Sequence, residues 1–183
     1  MIMDFKNKNG IKYYNILLIA LFLLAFCPSL FSQHTTQIQK ITASGRFQNE
    51  QFGFSADISD NYMIVGAVDE CSLISGRATT EGATYIYNKS TNNEWVEIQK
   101  IIVSDRKQDD HFGRAVAISD KFAFVAATEH DFDSQNGDEK AYTGAVYVFK
   151  RNTNNEWIQH QKLVASDRER NGSFGNSIII SNN

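Results

Sequence analysis

The chain has 183 residues, of which 42% are hydrophobic and 21% charged, with 18 basic and 21 acidic side chains. This composition is that of a folded globular protein, and it excludes an intrinsically disordered chain and a collagen-like one. The net charge of −3 argues against a protein that binds nucleic acid or an anionic membrane through general electrostatic attraction, so we expect no nucleic-acid partner.

The first 32 residues have the three-part pattern of a secretory signal peptide. Three lysines precede an uncharged apolar run of 11 residues, 16–26, and Ser32 is a small residue suited to cleavage. The run is short of the roughly 20 residues that a membrane-spanning helix needs. We expect export of residues 33–183 to the periplasm, the cell surface or the medium. A retained anchor and a lipoprotein acylated at Cys27 are the alternatives.

Removal of this segment leaves Cys71 as the only cysteine of the exported chain. An internal disulfide is therefore impossible, and the fold must be stabilised by packing unless a metal contributes. We expect Cys71 to lie in a surface loop. An intermolecular disulfide and a reactive thiol are the alternatives.

The rest of the chain repeats itself with a period of about 60 residues. The recurring segments are Gln-Lys-Ile/Leu at 39–41, 99–101 and 161–163, Phe-Gly at 52–53, 112–113 and 174–175, Gly-Ala at 82–83 and 144–145, and Asn-Asn-Glu-Trp at 92–95 and 154–157. So many matches in one order predict a duplicated structural unit. The predicted units are 39–98, 99–160 and a truncated third, 161–183.

Each complete unit contains four short apolar segments separated by turn residues, which is typical of β-strands. The predicted strands are 54–59, 62–67, 83–87 and 95–102 in the first unit, and 114–119, 122–127, 145–149 and 157–164 in the second. A longer polar loop is expected between the second and third strands. Four antiparallel strands per unit predict an all-β fold, a partial β-propeller of four-stranded blades. A solenoid and an immunoglobulin-like sandwich fit this period less well.

The unit resembles the FG-GAP repeat, the blade of the seven-bladed propeller in integrin alpha chains and in many exported bacterial proteins. The matching residues are Phe52-Gly53, Phe112-Gly113 and Phe174-Gly175 for "FG", and Gly66-Ala67-Val68 and, more weakly, Ala126-Ala127-Thr128 for "GAP". The resemblance implies a propeller fold and roles in adhesion, ligand binding or scaffolding.

We expect the residues of this motif to serve packing rather than ligand binding. Glycine permits a positive φ or a close backbone approach, and phenylalanine is large enough to fill the space between adjacent blades. The tryptophans begin the outermost strands, where they are expected to cover the blade rim. The residues given this structural role are Phe52, Gly53, Gly66, Ala67, Phe112, Gly113, Phe174, Gly175, Trp95 and Trp157.

The phase of the repeat predicts an incomplete propeller. Residues 35–41 align with 95–101, a fourth strand, so they correspond to the last strand of a blade. About two and a half blades are present, whereas a closed ring needs about four or more. We expect the missing blades to come from the rest of a longer chain, with other subunits as the alternative.

One acidic loop is a candidate calcium site. Some FG-GAP repeats carry the pattern D-x-D-x-D-G-x-x-D between the second and third strands, and oxygen ligands at alternate positions suit a hard cation. In the second unit the candidate ligands are Asp131, Asp133, Asn136 and Asp138. Gln135 stands where the pattern has its third aspartate, and an ordinary solvated loop is the alternative. No other cofactor is expected.

No catalytic motif stands out in the sequence. The four histidines, His34, His111, His130 and His160, fall at unrelated points of the repeat, and neither a nucleophile elbow nor a phosphate-binding loop is present. We expect His111 to be a solvated loop residue. The recurring Ser-x-Arg segments at 44–46, 104–106 and 166–168 are expected to form turn and inter-blade hydrogen bonds.

These observations predict an exported, non-catalytic binding, adhesion or structural module with a protein or carbohydrate ligand at the cell surface. The alternative is a ligand-binding or supporting propeller domain of a larger secreted enzyme. Propeller specificity resides in loops, so the ligand itself is not predicted.

Overall fold

A computed structural model of the chain describes residues 37–45, 49–74, 77–132 and 140–181. The predicted signal peptide, 1–32, lies outside these residues. The described part of the chain is all-β, with ten strands and no helix. Correspondingly, it contains no helix that is long and apolar enough to cross a membrane.

The strands follow the two predicted units. Those of the first unit are β1 (Phe52–Ile58), β2 (Tyr62–Ala67), β3 (Cys71–Ile74), β4 (Arg77–Thr80), β5 (Ala83–Lys89) and β6 (Trp95–Ile101). Those of the second unit are β7 (Phe112–Ile118), β8 (Phe122–Ala127), β9 (Ala145–Arg151) and β10 (Trp157–Leu163). Eight of these ten strands correspond to the eight predicted from the spacing of apolar residues.

Each unit forms one four-stranded antiparallel sheet. The strand order is β1-β2-β5-β6 in the first sheet and β7-β8-β9-β10 in the second, so each strand pairs with its neighbour in the chain except where β3 and β4 intervene. Tight turns join β1 to β2 and β5 to β6 in the first sheet, and β7 to β8 and β9 to β10 in the second, as in an up-and-down blade. The prediction of propeller blades is confirmed: the two sheets are consecutive blades of a partial β-propeller.

The prediction of a polar loop between the second and third strands of the first unit is wrong in one respect. This segment contains a β-hairpin. Strands β3 and β4 pair antiparallel, with Cys71 opposite Thr80 and Ile74 opposite Arg77. Cys71 therefore begins a strand rather than lying in a loop. The sequence carries a weak signal for this hairpin, since Ser75-Gly76 is a common turn dipeptide between β-branched and apolar residues.

The two sheets pack face to face around a shared apolar core. Phe112, at the start of β7, is 0% exposed and its ring lies 5.5 Å from that of Tyr147. At the outer end, the rings of Tyr62 and Trp157 meet edge to face at 5.3 Å. The core residues are Tyr62, Ile64, Ile86, Ile101 and Val103 from the first unit and Phe112, Val116, Ile118, Ala123, Val125, Ala127, Ala145, Tyr147, Phe149 and Trp157 from the second.

The opposite face of the first sheet is partly covered by residues 39–45. Ala43 is buried there against Tyr85 and Tyr87, and Ile41 packs at the edge of the same cluster. The Tyr87 hydroxyl donates a hydrogen bond to the Thr42 carbonyl at 3.0 Å. This segment thus takes the place that an outer strand of a preceding blade would occupy.

Candidate ligand-binding face

All long connections of the two blades emerge at one end of the sheets. Because neighbouring strands are antiparallel, the ends of β2 and β6 and the starts of β1 and β5 share an edge, and the second sheet repeats this arrangement. The described segments at this edge are 68–74, 77–82, 102–111, 128–132, 140–144 and 164–173. We call this edge the loop face and the opposite edge, with its tight turns, the turn face.

Each Phe-Gly pair sits in a backbone turn that is copied three times at the loop face. The amide of the residue after glycine donates to the carbonyl of the residue before phenylalanine at 3.1, 3.1 and 3.3 Å. The turn needs positive φ at glycine, as in a type II turn. The values are 89° at Gly53, 98° at Gly113 and 89° at Gly175, and 50°, 56° and 47° at the preceding Gln51, His111 and Ser173. The third unit therefore begins with the same geometry as the first two.

The second and third of these turns dock on the blade that precedes them. A Cβ atom at Gly82 would lie 2.2 Å from the Phe112 carbonyl oxygen, and one at Gly144 would lie 2.4 Å from the Phe174 amide nitrogen. The Phe174 amide donates to the Thr143 carbonyl at 2.8 Å, as the Phe112 amide does to Glu81 at 3.3 Å. Glycine before the third strand of a blade thus makes room for the Phe-Gly turn of the next.

Gly66, the glycine of the "GAP" segment in the first unit, also makes room for the backbone of the next blade. A Cβ at Gly66 would lie 2.1 Å from the Gly113 carbonyl oxygen, which accepts a hydrogen bond from the Ser55 hydroxyl at 2.6 Å. Ala67, the next residue, is fully buried. Strand β2 of the first blade and the inner strand β7 of the second therefore approach closely at this glycine.

The arginines of the Ser-x-Arg segments fix the loop face. Arg106 Nε lies 2.9 Å from a carboxylate oxygen of Glu81, and its Nη1 lies 3.2 Å from Glu70 and donates to the Gly82 carbonyl at 2.9 Å. Both glutamates are almost completely buried. Arg168, its counterpart in the second unit, donates to Thr143 Oγ1 at 3.2 Å. Arg46 lies outside the described residues.

A buried ionisable network lies below this surface in the second blade. Lys162 Nζ lies 2.9 Å from Asp105 and 2.7 Å from His130 Nε2, and His130 Nδ1 lies 2.9 Å from Asp110. An ammonium group can only donate, so Nε2 accepts the hydrogen bond from Lys162 and Nδ1 is left to donate to the Asp110 carboxylate. His130 is 0% exposed.

Two effects oppose each other at Asp105. Burial raises the pKa of its carboxyl, but hydrogen bonds and charge from Lys162, with a further hydrogen bond from Tyr147, outweigh burial and hold the pKa below its ordinary value. The carboxylate is therefore ionised at neutral pH and balances the Lys162 ammonium.

Sequence reasoning missed this network, although the repeat contained a signal for it. His130 occupies the repeat position of Glu70, and Lys162 that of Lys100, which pairs with Glu70 in the first blade. A lysine–glutamate pair is thus replaced by a lysine–histidine pair. His111 is also not the solvated loop residue expected, since only 24% of its side chain is exposed and its Nδ1 lies 2.9 Å from Glu129.

The candidate calcium loop is described only at its first residue. One carboxylate oxygen of Asp131 accepts a hydrogen bond from the Tyr142 amide at 2.7 Å. The other three candidates, Asp133, Asn136 and Asp138, lie outside the described residues. Elsewhere in the described chain, no group of three histidine, cysteine, aspartate or glutamate side chains is placed to hold a metal ion. The calcium site stays a prediction.

The hydrogen bond to Asp131 fixes the exposed residue Tyr142 in a strained backbone conformation. Tyr142 has a φ of 57°, in the left-handed region that residues with a side chain rarely adopt, and it is 44% exposed. Its carbonyl accepts a hydrogen bond from the Ser173 amide at 3.1 Å, so it is fixed on both sides. Strain at an exposed loop residue is a feature of functional sites.

The rim of the blades carries a second repeated contact. The side-chain amide of Gln39 donates to the Trp95 carbonyl and accepts from the Trp95 amide, each at 2.8 Å. Gln99 makes the same pair of bonds with Trp157, at 2.9 and 2.8 Å. Trp157 is buried by the first blade, whereas Trp95 is half-buried.

A polar groove of about 710 Å³ runs along this rim between the two outer strands. It is lined by Tyr62, Asn88, Ile98, Gln99, Asn154, Asn155, Glu156, Trp157 and Ile158. Its position towards the turn face separates it from the Tyr142 region.

Comparison with protein families agrees with this architecture. The family model of the FG-GAP repeat matches residues 35–87 and 95–149, together more than half of the chain. The chain belongs to the FG-GAP repeat family. The second FG-GAP match begins at Trp95, in the outer strand of one blade, and ends in β9 of the next, so it spans the interface between blades. A comparison with curated proteins found no match.

Proposed function

We propose that this FG-GAP chain is an exported, non-catalytic module that binds a protein or carbohydrate ligand at the cell surface through its loop face. The observation that carries the proposal is the gathering of the long connections of both blades at one edge. Loops fixed on a rigid scaffold are the usual location of binding residues.

The anchoring contacts support recognition by a preformed surface. Arg106 and Arg168 tie the connections between blades to the loops that follow β2 and β8. A surface that is already ordered loses little conformational entropy when a ligand binds. We infer that the ligand is recognised without a large rearrangement of the blades.

Tyr142 is the residue we assign to ligand contact. Tyr142 is 44% exposed, two residues after the exposed Lys140, and tyrosine offers both an apolar ring and a hydroxyl group. Aromatic rings pack on the apolar faces of sugars and on protein side chains alike, so both ligand classes fit this surface.

The test uses the purified exported chain on a printed oligosaccharide array and on immobilised extracellular-matrix proteins. Tyr142→Asn removes the ring and keeps a residue that tolerates positive φ. We expect it to weaken binding about tenfold or more, as loss of an aromatic contact does at interfaces. Ile158→Thr, at an exposed position of the outer strand, is the matched control and leaves binding unchanged.

Two results would contradict the proposal. One is that the folded chain binds no probe of either class. The other is that binding is lost equally in the Ile158 variant, which would move the site from the loop face to the rim.

A further inference from the structure

We propose that the second blade carries a docking site for a third blade of the same repeat, in which the amide of Gln161 binds the backbone of the first residue of that blade's outer strand. This inference concerns the assembly of blades and does not depend on the ligand of the loop face.

The proposal starts from the glutamine contact at the rim, which occurs twice with the same geometry. In both copies one amide is donor and acceptor to a single residue, with four bonds of 2.8 to 2.9 Å. The bonded groups are the backbone amide and carbonyl of Trp95 or Trp157. The glutamine therefore recognises the start of an extended strand rather than a particular side chain.

Gln161 is the third glutamine of this series. It pairs with Val148 in the sheet as Gln99 pairs with Ile86, and each follows a bulge in the outer strand. The side chain of Gln161 is exposed and has no hydrogen-bond partner among the described residues. The side chain is thus held in the position of Gln99, and the strand start that it would bind is lacking from the described chain.

The sheet around Gln161 is also partly uncovered. We call Phe122, Phe124, Val148 and Gln161 the outgoing face, since they lie on the side of the second sheet away from the first. Phe122 and Phe124 are half-buried, whereas their counterparts in the first sheet, Tyr62 and Ile64, are 7% and 0% exposed beneath the next blade.

The third unit already lies where the first strand of such a blade belongs. Its Phe-Gly turn docks at Gly144 as the turn at Phe112 docks at Gly82. Ile179 lines a groove with Phe122 and Phe124, yet Ile179 itself is 92% exposed. The occupant that fits the outgoing face is therefore the rest of a blade that is covalently continuous with the third unit.

A second copy of this chain does not fit the same site. In a copy, the backbone of Trp95 is already bound by Gln39, and that of Trp157 by Gln99. Neither outer strand would have its first residue available for Gln161. The docking site thus selects a blade whose outer strand has no glutamine partner of its own.

The experiment extends the chain with a copy of residues 120–163 joined after Ser181, which completes a third blade with its own outer-strand tryptophan. Gln161→Ala is compared in the extended and the original chain. Gln159→Ala is the matched control, because Gln159 is an exposed glutamine of the same strand paired with Phe149, which faces the first blade. Gln161→Glu retains the acceptor and removes the donor.

The readouts are the melting temperature and the hydrogen exchange of the tryptophan amide in the appended blade. In the extended chain we expect Gln161→Ala and Gln161→Glu to speed that exchange roughly tenfold and to lower the melting temperature, and we expect the same lowering from Gln99→Ala. In the original chain Gln161→Ala changes nothing, and Gln159→Ala changes neither readout in either chain.

The proposal is overturned if Gln161→Ala leaves exchange and melting unchanged in a folded extended chain. It is also overturned if the extended chain melts in two separate transitions, one for the appended strands and one for the rest. Analytical ultracentrifugation of the original chain adds a further check, since a concentration-dependent dimer that Gln161→Ala abolishes would show a second copy as the occupant.

Discussion

Glycines determine how closely neighbouring blades approach in this protein. Gly53 and Gly82 both have positive φ, at 89° and 85°, but only Gly82 has backbone atoms of the next blade within reach of a Cβ. The two positions therefore separate the conformational requirement for glycine from the steric one.

Gly82→Ala is expected to destabilise the fold by about 2–4 kcal/mol, because the new Cβ adds a clash with the backbone of Phe112 to the strain of positive φ. Gly53→Ala carries the strain alone and is expected to cost about 1–2 kcal/mol. Urea unfolding of both variants measures the difference. Equal losses would show that the blades do not meet at Gly82.

Three buried tyrosines are expected to make the protein less stable in alkali. Burial raises the pKa of Tyr85, Tyr87 and Tyr147 above the ordinary value, and nearby carboxylates, such as Asp105 beside Tyr147, raise it further. A raised pKa in the folded state means that the stabilisation is present below the unfolded pKa, about 10, and is lost as the pH rises above it.

Tyr147→Phe is expected to reduce the loss of stability between about pH 9 and 12, since phenylalanine has no proton to lose. The measurement is the urea midpoint as a function of pH. Tyr142→Phe, at the exposed tyrosine, is the control and should leave the pH profile as it is. An identical alkaline slope in the Tyr147 variant would rule out a buried neutral phenol at this position.

Some residue roles could be read from the sequence and others could not. The Phe-Gly turns were predictable, because a glycine that recurs in register indicates a backbone requirement. The network of His130, Lys162 and Asp105 was not, since its members are 25 to 57 residues apart and meet only when β10 lies beside β9. Likewise, the exposure of Tyr142 depends on the path of a loop.

At the level of strands, apolar alternation located the two sheets but not the small hairpin. Strands β2 and β8 begin and end at the predicted residues, because continuous apolar runs bounded by turns are unambiguous. β3 and β4 are four residues each, and four of these eight residues are polar, so the two strands carry no continuous apolar run. They are formed by local pairing across a two-residue connection.

Equivalent residues of the inner strands β1 and β7 show how much burial a neighbouring blade contributes. Ile118 in β7 is 3% exposed because the first blade covers it, whereas Ile58, at the same position of β1, is 59% exposed. Ile118→Ala is therefore expected to cost about 2–4 kcal/mol and Ile58→Ala less than about 1 kcal/mol. Chemical denaturation measures both. A similar loss at the two positions would mean that another part of the chain covers Ile58.

In the molecule as a whole, one repeat unit supplies both the blade and the contacts to the next blade. The FG-GAP match begins in an outer strand, and the glutamine contact, the Phe-Gly turn and the arginine anchor all join one unit to its neighbour. The order of the blades could be predicted from the repeat. The contacts between the blades could not, because they join residues that are far apart in the chain. The same contacts align the connections that form the loop face.

The most direct test of this account is a proton NMR measurement of proximity between blades. Tyr62 belongs to the first unit and Trp157 to the second, and their rings lie 5.3 Å apart. In a Trp95→Phe variant, which leaves Trp157 as the single tryptophan, we predict nuclear Overhauser effects between the ring protons of Tyr62 and Trp157. Their absence in a folded chain would contradict the packing of the two repeats as consecutive blades.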